Sequence, residues 1–312
     1  MDSQTTPKFY LKQLLEILNQ KEITILAHDN IDIDAALSGI LLSRLLDFLG
    51  IKNTFKILEH VKTDETYTVL KELIKIDLKD FESISDGENE SATLFLVDHY
   101  KTTHLGNVIG NIDHHPTIQH LNVSFSYTKN SSATAYLVYE LMQEAKYPIT
   151  KQDALMIVTA MMADTVCFKS SKALPKEIEI AKQIADSFNL DWSQIEKYAL
   201  CPTSIEKMTL NEIVTNGYKE YEFSGFKVAS AYVQLAKLND TSIIEKWLQE
   251  LTFNINFNTL KMYIFLVFDI ENKKTYEYQI TRECVKEIIH YAIISRGKDV
   301  MPRIEKMLQN KL

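Results

Sequence analysis

Asn111-Ile112-Asp113-His114-His115-Pro116 reads as the end of a buried strand. An apolar run with β-branched residues stops at a carboxylate and two imidazoles, and the carboxyl end of a strand is where an open α/β sheet places its ligands. Such donors suit a metal ion. The same triplet would also suit a surface turn in which Asp113 hydrogen-bonds the loop backbone and both histidines are solvated. Three further stretches have the same form. His28-Asp29-Asn30-Ile31-Asp32-Ile33-Asp34 follows the apolar run 22–27, Asp98-His99 follows the run 92–97, and Asp164-Thr165 closes the mostly apolar helical stretch 152–163.

Outward from these stretches, strand and helix patterns alternate. Buried strands are expected at 22–27, 53–58, 92–97 and 107–112, with an edge-like strand at 123–127. Helical spacing covers 9–19, 35–50 with Gly50 as its stop, 65–78, 152–163, 175–187 and 192–198, and Ser131 or Ser132 would cap a helix reaching Ala145. Asp86-Gly87-Glu88-Asn89-Glu90 reads as a turn. In the first acidic loop His28, Asp32 and Asp34 stand at even intervals, so an extended segment would turn all three to one side. Asp34 as a plain helix cap and His28 as a core histidine are the alternative readings.

Cys201-Pro202-Thr203 breaks the pattern and marks a linker between domains 1–200 and 204–312. Beyond it, Thr203 or Ser204 would cap a helix running to Asn216. Strands are expected at 220–223 and 226–233, a second hairpin at 261–269 and 276–280, and helices at 241–251 and 283–293. Tyr221, Phe223, Tyr276 and Tyr278 read as strand residues packing a sheet. The fold class is α/β: an N-terminal, mainly parallel sheet flanked by helices, with a smaller mixed α/β C-terminal domain.

With 312 residues, 46% of them hydrophobic, the chain has ample material for packed cores. Its formal charge of −8 argues against a broad nucleic-acid-binding surface and leaves only a local basic pocket for a compact anion. No apolar run approaches the roughly 20 residues needed to span a bilayer, and the first seven residues lack a signal-peptide core. A cytoplasmic protein without a membrane partner is the expectation. Cys167, Cys201 and Cys284 lack paired spacing, which excludes a disulfide framework and a thiolate zinc site; all three are expected to be buried and inert. The eight glycines are too dispersed for a phosphate-cradling loop, so Walker and Rossmann readings fail. Of the eight histidines only His290 lies beyond residue 120, which places metal chemistry in the N-terminal part.

The ordered set His28-x-Asn30-x-Asp32-x-Asp34, Val97-Asp98-His99, Asp113-His114-His115 and Asp164-Thr165-x-x-Phe168-Lys169-Ser170 resembles the DHH phosphoesterase superfamily. Its last segment is most similar to the family II inorganic pyrophosphatases. Ser295-Arg296-Gly297-Lys298, followed by Pro302, resembles the phosphate-binding motif in the second domain of those pyrophosphatases, of cytosolic exopolyphosphatases and of prune-like proteins. The glycine-run motif of the nuclease and cyclic-dinucleotide branch has no counterpart, since no Gly-Gly pair occurs.

The resemblance implies two metal ions. His28 and Asp32 would bind one, Asp34, His114 and Asp164 the second, and Asp98 would bridge them. Manganese is the implied metal, with cobalt or magnesium as substitutes; zinc and iron accept the same ligand types. A metal-bridging hydroxide would attack a small phosphoanhydride, inorganic pyrophosphate first, with polyphosphate ends or nucleotides as the alternative. His115 would contact the substrate phosphate and Asp113 would orient an imidazole, so Asp98, Asp113 and His115 are the implied catalytic residues. Lys219, Arg296 and Lys298 would bind phosphate across a cleft between the domains, and edge strands of the first domain would pair in a homodimer. Three positions depart from the family pattern: Ile31 replaces proline, Gly217 replaces an aspartate, and Gly297 replaces the first of two lysines. These leave the metal ligands intact and bear on the substrate. A non-catalytic phosphate or nucleotide sensor is the reading from another class; clustered carboxylates without metals, which repel one another, argue against it.

Overall fold

The apolar runs of the first half pair side by side as expected. In the computed structural model, which describes residues 8–18, 21–28, 31–58, 64–84, 92–99, 107–115, 123–200, 203 and 205–309, β1 (Ile23–Leu26), β2 (Asn53–Leu58), β3 (Glu82–Ile84), β4 (Thr93–Val97), β5 (Asn107–Asp113) and β6 (Phe125–Thr128) form one sheet. Its order is β3-β2-β1-β4-β5-β6, and every neighbouring pair is parallel. A parallel sheet is covered by helices, and this unit carries seven α-helices among its described residues. These are α1 (Lys8–Leu18), α2 (Ile33–Phe48), α3 (Asp64–Thr68), α4 (Thr134–Glu144), α5 (Lys151–Asp164), α6 (Pro175–Ser187) and α7 (Trp192–Ala199). Residues 33–42 of α2 are buried on every side, because α2 lies against β1, β2 and β4 and is covered by α4 and α5. Gly39 is where β2 approaches that helix: a Cβ there would lie 2.3 Å from the Phe55 ring.

The chain folds as two compact units, Met1–Phe168 with Ala173–Ala199, and Lys169–Lys172 with Leu200–Leu312. The short Lys169–Lys172 stretch joins the second unit through a bridge between Ser170 and Ile293. In that unit β7 (Lys219–Phe223), β8 (Phe226–Leu235), β9 (Met262–Asp269), β10 (Lys274–Ile280) and β11 (Val285–His290) form a mixed sheet in the order β11-β10-β9-β8-β7. Only β8 and β9 run parallel. One sheet face, with Ala229, Ala231, Tyr263, Phe265, Tyr276 and Tyr278, packs against Ile213 and Val214 of α8 (Leu210–Val214) and Trp247 and Leu251 of α9 (Ser242–Asn254). The last helix is α10 (Met301–Gln309).

Several expectations are corrected. Residues 283–293 form no helix: β11 takes the outer edge of β10, with Ile289 opposite Tyr276 and the Tyr278 hydroxyl donating to Glu287 at 2.6 Å. Periodicity alone does not separate a short edge strand from a short helix, and cross-strand pairing decided here. The three-residue strand β3 has no sequence signal. Neither Ser131 nor Ser132 caps α4, whose N-cap is Ala133; both serines are buried and bond to Glu177 instead. Thr203 is tied to Gln234 of β8, while Thr209 caps α8 in a capping box with Glu212. Ser204 and the turn 86–90 lie outside the described residues. Cys167 is buried but Cys284 is exposed, against expectation, and Cys201 lies outside the described residues. Among the described residues no helix is long and apolar enough to cross a membrane.

Candidate metal centre

In the first sheet the chain moves outward in one direction from β1 to β2 and β3 and in the other to β4, β5 and β6. The carboxyl ends of β1 and β4 therefore flank a crevice, the usual ligand position of an open parallel sheet. His28 stands two residues past β1, Asp98 directly past β4, His114 directly past β5, and Asp164 is the last residue of α5. Asp98 turns away from its strand with φ +63, a conformation aspartate tolerates better than most residues, and its N–H donates to the Ile112 carbonyl at 2.9 Å.

The even spacing of His28, Asp32 and Asp34 does not describe one extended segment. Asp32 caps α2, accepting from the Ala35 N–H at 2.9 Å, and Asp34 lies in the first helical turn. The capping role offered as the alternative for Asp34 thus falls to Asp32. All three nonetheless reach the crevice. His28 Nε2 lies 3.5 Å from Asp32 Oδ2 and 3.4 Å from Asp98 Oδ2. His114 Nε2 lies 3.5 Å from Asp98 Oδ1, 3.3 Å from Asp164 Oδ2 and 3.9 Å from Asp34 Oδ2. His115 Nδ1 is 2.8 Å from Asp113 Oδ1 and 3.6 Å from Asp98 Oδ1. Among the described residues, three groups have ligand-capable atoms within 4.8 Å of one another: His28, Asp32 and Asp98; Asp34, His114 and Asp164; Asp98, His114 and His115.

Groups that the sequence does not mark hold these donors in place. Asp34, only 2% exposed, accepts at Oδ2 from the Thr134 N–H (2.7 Å) and at Oδ1 from the Ala135 N–H (3.0 Å) and the Ser38 hydroxyl (3.1 Å). The amides that begin α4, a helix without a side-chain cap of its own, are thereby satisfied by a carboxylate from α2, and a helix N-terminus favours that charge. The Thr134 hydroxyl donates to Asp98 Oδ1 at 2.7 Å. The Ser131 carbonyl, which can only accept, lies 3.1 Å from His114 Nδ1 and so places the hydrogen there and the lone pair on Nε2. Ser38 and Thr134 go unnoticed in the sequence, and Ser131 reads there only as a candidate helix cap, because Ser131 and Thr134 act partly or wholly through backbone groups.

Burial and neighbouring charges dominate the electrostatics of these groups. Burial pushes the Asp34 carboxyl well above its usual range, and the neighbouring charges of Asp98, Asp164 and Asp32 push it further. Burial draws the His28 imidazole down, but Asp32 and Asp98 outweigh it and hold the ring well above its ordinary value. Burial lowers His99 to about 4, so that ring is neutral. Burial raises the Asp113 carboxyl, and its hydrogen bond to His115 more than reverses this. Imidazole nitrogens and carboxylate oxygens converging on buried, mutually repelling Asp34 and Asp98 fit divalent ions, which would remove that repulsion.

The remaining candidates belong to the second unit. Lys219 opens β7 with its ammonium 5.9 Å from the centre of the Tyr221 ring. Arg296 lies 5.2 Å over the Tyr232 ring and donates to the Gly217 carbonyl. The Lys298 N–H donates to the Ser295 hydroxyl at 3.2 Å. Gly217 has a steric reason: φ is +60, and a Cβ would meet the Tyr232 ring at 2.3 Å. Gly297 has none, since a Cβ there meets nothing within 4 Å.

Residues 22–168 match the model of the DHH family, N-terminal domain. A manganese-dependent inorganic pyrophosphatase of Methanocaldococcus jannaschii is 25% identical, with 90% of this chain and 98% of that protein covered. A protein of Oceanobacillus iheyensis named "Probable manganese-dependent inorganic pyrophosphatase" is 23% identical over 89% of this chain and 96% of its own length. Among solved structures, one from Methanococcus jannaschii described as a "putative family II inorganic pyrophosphatase" has a TM-score of 0.71 at 22% identity, covering 91% of this chain and 98% of its own. An exopolyphosphatase-related protein from Bacteroides fragilis has a TM-score of 0.54 at 18% identity, covering 90% and 86%. By these motifs, this match and this fold, residues 22–168 are similar to the DHH family, N-terminal domain, and over most of its length the chain resembles the manganese-dependent inorganic pyrophosphatases.

Proposed function

We propose that this chain is a manganese-dependent hydrolase of small phosphoanhydrides, with inorganic pyrophosphate as its first substrate. The observation that carries the proposal is Asp98, whose Oδ2 faces His28 while its Oδ1 faces His114, so that two groups of donors share one carboxylate. In this reading His28 and Asp32 hold one ion, Asp34, His114 and Asp164 hold another, and Asp98 serves both. Divalent ions bound there would lower the pKa of water and offset charge on phosphate oxygens. The choice of manganese rests on the relatives named for it.

Asp113 holds the His115 ring through Nδ1, and the ring is proposed to contact a phosphate oxygen through its other nitrogen. Lys219, Arg296 and Lys298 are the cations proposed to neutralise charge on the leaving or attacked phosphate. A second reading, hydrolysis of longer polyphosphate or of nucleotides, is favoured by Gly297, beside which the structure has open space.

The test is phosphate release by the manganese-loaded protein from pyrophosphate, tripolyphosphate, long-chain polyphosphate and ATP, with His114→Ala as the blank. Turnover of pyrophosphate that disappears in the blank supports the first reading, and preference for longer chains supports the second. Manganese uptake with no turnover of any of the four would leave a sensor, or a hydrolase of a phosphoester outside the four, as the reading.

A further inference from the structure

We infer that Glu177 is a positioning residue of the metal centre and acts on His114 through a single peptide plane. The inference rests on the proposed role of His114 as a metal ligand.

Glu177 lies in the first turn of α6 and is 4% exposed. Its Oε2 accepts the Ser132 N–H at 2.7 Å, and both of its oxygens lie 3.2 Å from the Ser131 hydroxyl. The peptide unit between Ser131 and Ser132 is therefore gripped at both ends: its N–H points to the Glu177 carboxylate, and its carbonyl accepts from His114 Nδ1 at 3.1 Å. The chain of contacts runs carboxylate, amide N–H, amide C=O, imidazole.

Amide resonance links the two ends of that unit. A carboxylate at the N–H draws density toward the carbonyl oxygen, which becomes a stronger acceptor, because hydrogen bonds in series polarise one another at low local dielectric. A stronger acceptor at Nδ1 makes Nε2 a better donor to a cation. Metal-binding histidines commonly receive this help from a carboxylate in direct contact; here the carboxylate stands one peptide away. Both serines are fully buried, so water does not screen the path. The N-terminal end of α6 supports the Glu177 charge. The Ser132 hydroxyl, accepting the Leu174 N–H at 3.2 Å, ties the same loop to the N-cap residue of α6.

A purely structural staple would need only hydrogen-bond acceptors at position 177, whereas the relay needs the negative charge. Glu177→Gln keeps an acceptor and removes the charge; Ser131→Ala removes the hydroxyl contact and keeps the peptide path. Manganese affinity by titration calorimetry and the visible spectrum of the cobalt-loaded full chain, both without substrate, separate the two. The relay predicts that Glu177→Gln weakens manganese binding roughly 10- to 100-fold, the range for lost outer partners of metal ligands, and alters the cobalt spectrum, while Ser131→Ala weakens binding less than about threefold on the same scale. Unchanged affinity and spectrum in folded Glu177→Gln overturn it, as does an equal loss in both variants. Should Glu177→Gln not fold, the unaltered protein decides: loading with diamagnetic magnesium should shift the Ser132 amide proton downfield, and an immobile resonance overturns the relay. If the unaltered protein takes up no metal, the metal centre fails and this inference with it; if it binds metal and hydrolyses pyrophosphate while Glu177→Gln matches it in every respect, this inference alone fails.

Discussion

The Thr134 hydroxyl donates to Asp98 Oδ1 at 2.7 Å, although the two residues stand 36 positions apart. The same residue's backbone N–H donates to Asp34 Oδ2, also at 2.7 Å. One threonine at the start of α4 thus fixes a carboxylate of each candidate donor group relative to the other.

Thr134→Val separates these two contacts, since it removes the hydroxyl bond and leaves the amide. Leaving a buried acceptor short of a donor costs about 1–3 kcal/mol. The metal-free variant is expected to unfold at lower temperature by that measure, and its manganese affinity, read by calorimetry, is expected to fall. Wild-type values for both would mean that Asp98 needs no fixing by α4.

Asp164 contributes charge to a crowded site: with Asp98 and Asp32 it drives the Asp34 carboxyl upward. Asp164→Asn is therefore expected to leave the metal-free protein at least as stable as the unaltered chain. For the unaltered chain, manganese at a hundredfold excess over its Kd is expected to add about 2.7 kcal/mol, which a chelator removes. The variant should lose most of that gain at the same manganese concentration. Thermal melts with and without chelator measure both effects.

In the second unit, fully buried Glu277 accepts from Gln279, His290 and Arg303. Arg303→Met leaves that carboxylate with fewer partners, and because the arginine is half exposed the expected cost is about 1–3 kcal/mol, below that of a wholly buried pair. The chain has two tryptophans; in a Trp192→Phe background, Trp247 in the core of this unit reports its urea unfolding. An unchanged midpoint would show that His290 and Gln279 suffice.

Gly297→Lys meets no steric obstacle, as a Cβ there contacts nothing within 4 Å. Its stability is expected to stay within about 0.5 kcal/mol of the unaltered chain. The added cation should raise the rate on pyrophosphate relative to tripolyphosphate several-fold, an order-of-magnitude expectation for one added phosphate contact. An unchanged ratio would separate Gly297 from substrate choice.

The legible part of this protein is periodic. Mostly apolar runs gave away β1, β4 and β5, because a strand buried on both faces has little polar alternation to conceal it. Helical spacing and the proline at the start of α6 placed α1, α2 and α4 to α7 to within a few residues, whereas the helix expected at 65–78 is α-helical only over Asp64–Thr68 and continues as a π-helix over Val69–Ile74. Residues 283–293 defeated the same reasoning: Val285, Ile288 and Ile289 fit either period, and only the open edge of β10 selected a strand.

By itself, then, the sequence determined that metal-type donors sit at the ends of strands and of one helix, since side-chain chemistry and local period are both written residue by residue. Only the tertiary structure decided how those donors are held. Asp34 meets the amides of Thr134 and Ala135, His114 meets the Ser131 carbonyl, and Glu177 meets the Ser132 amide. Each contact joins distant segments, and each uses a backbone group that nearly every residue carries, so no pattern of side chains announces it; it exists only once the sheet order has brought β1, β4 and β5 together beneath the start of α4.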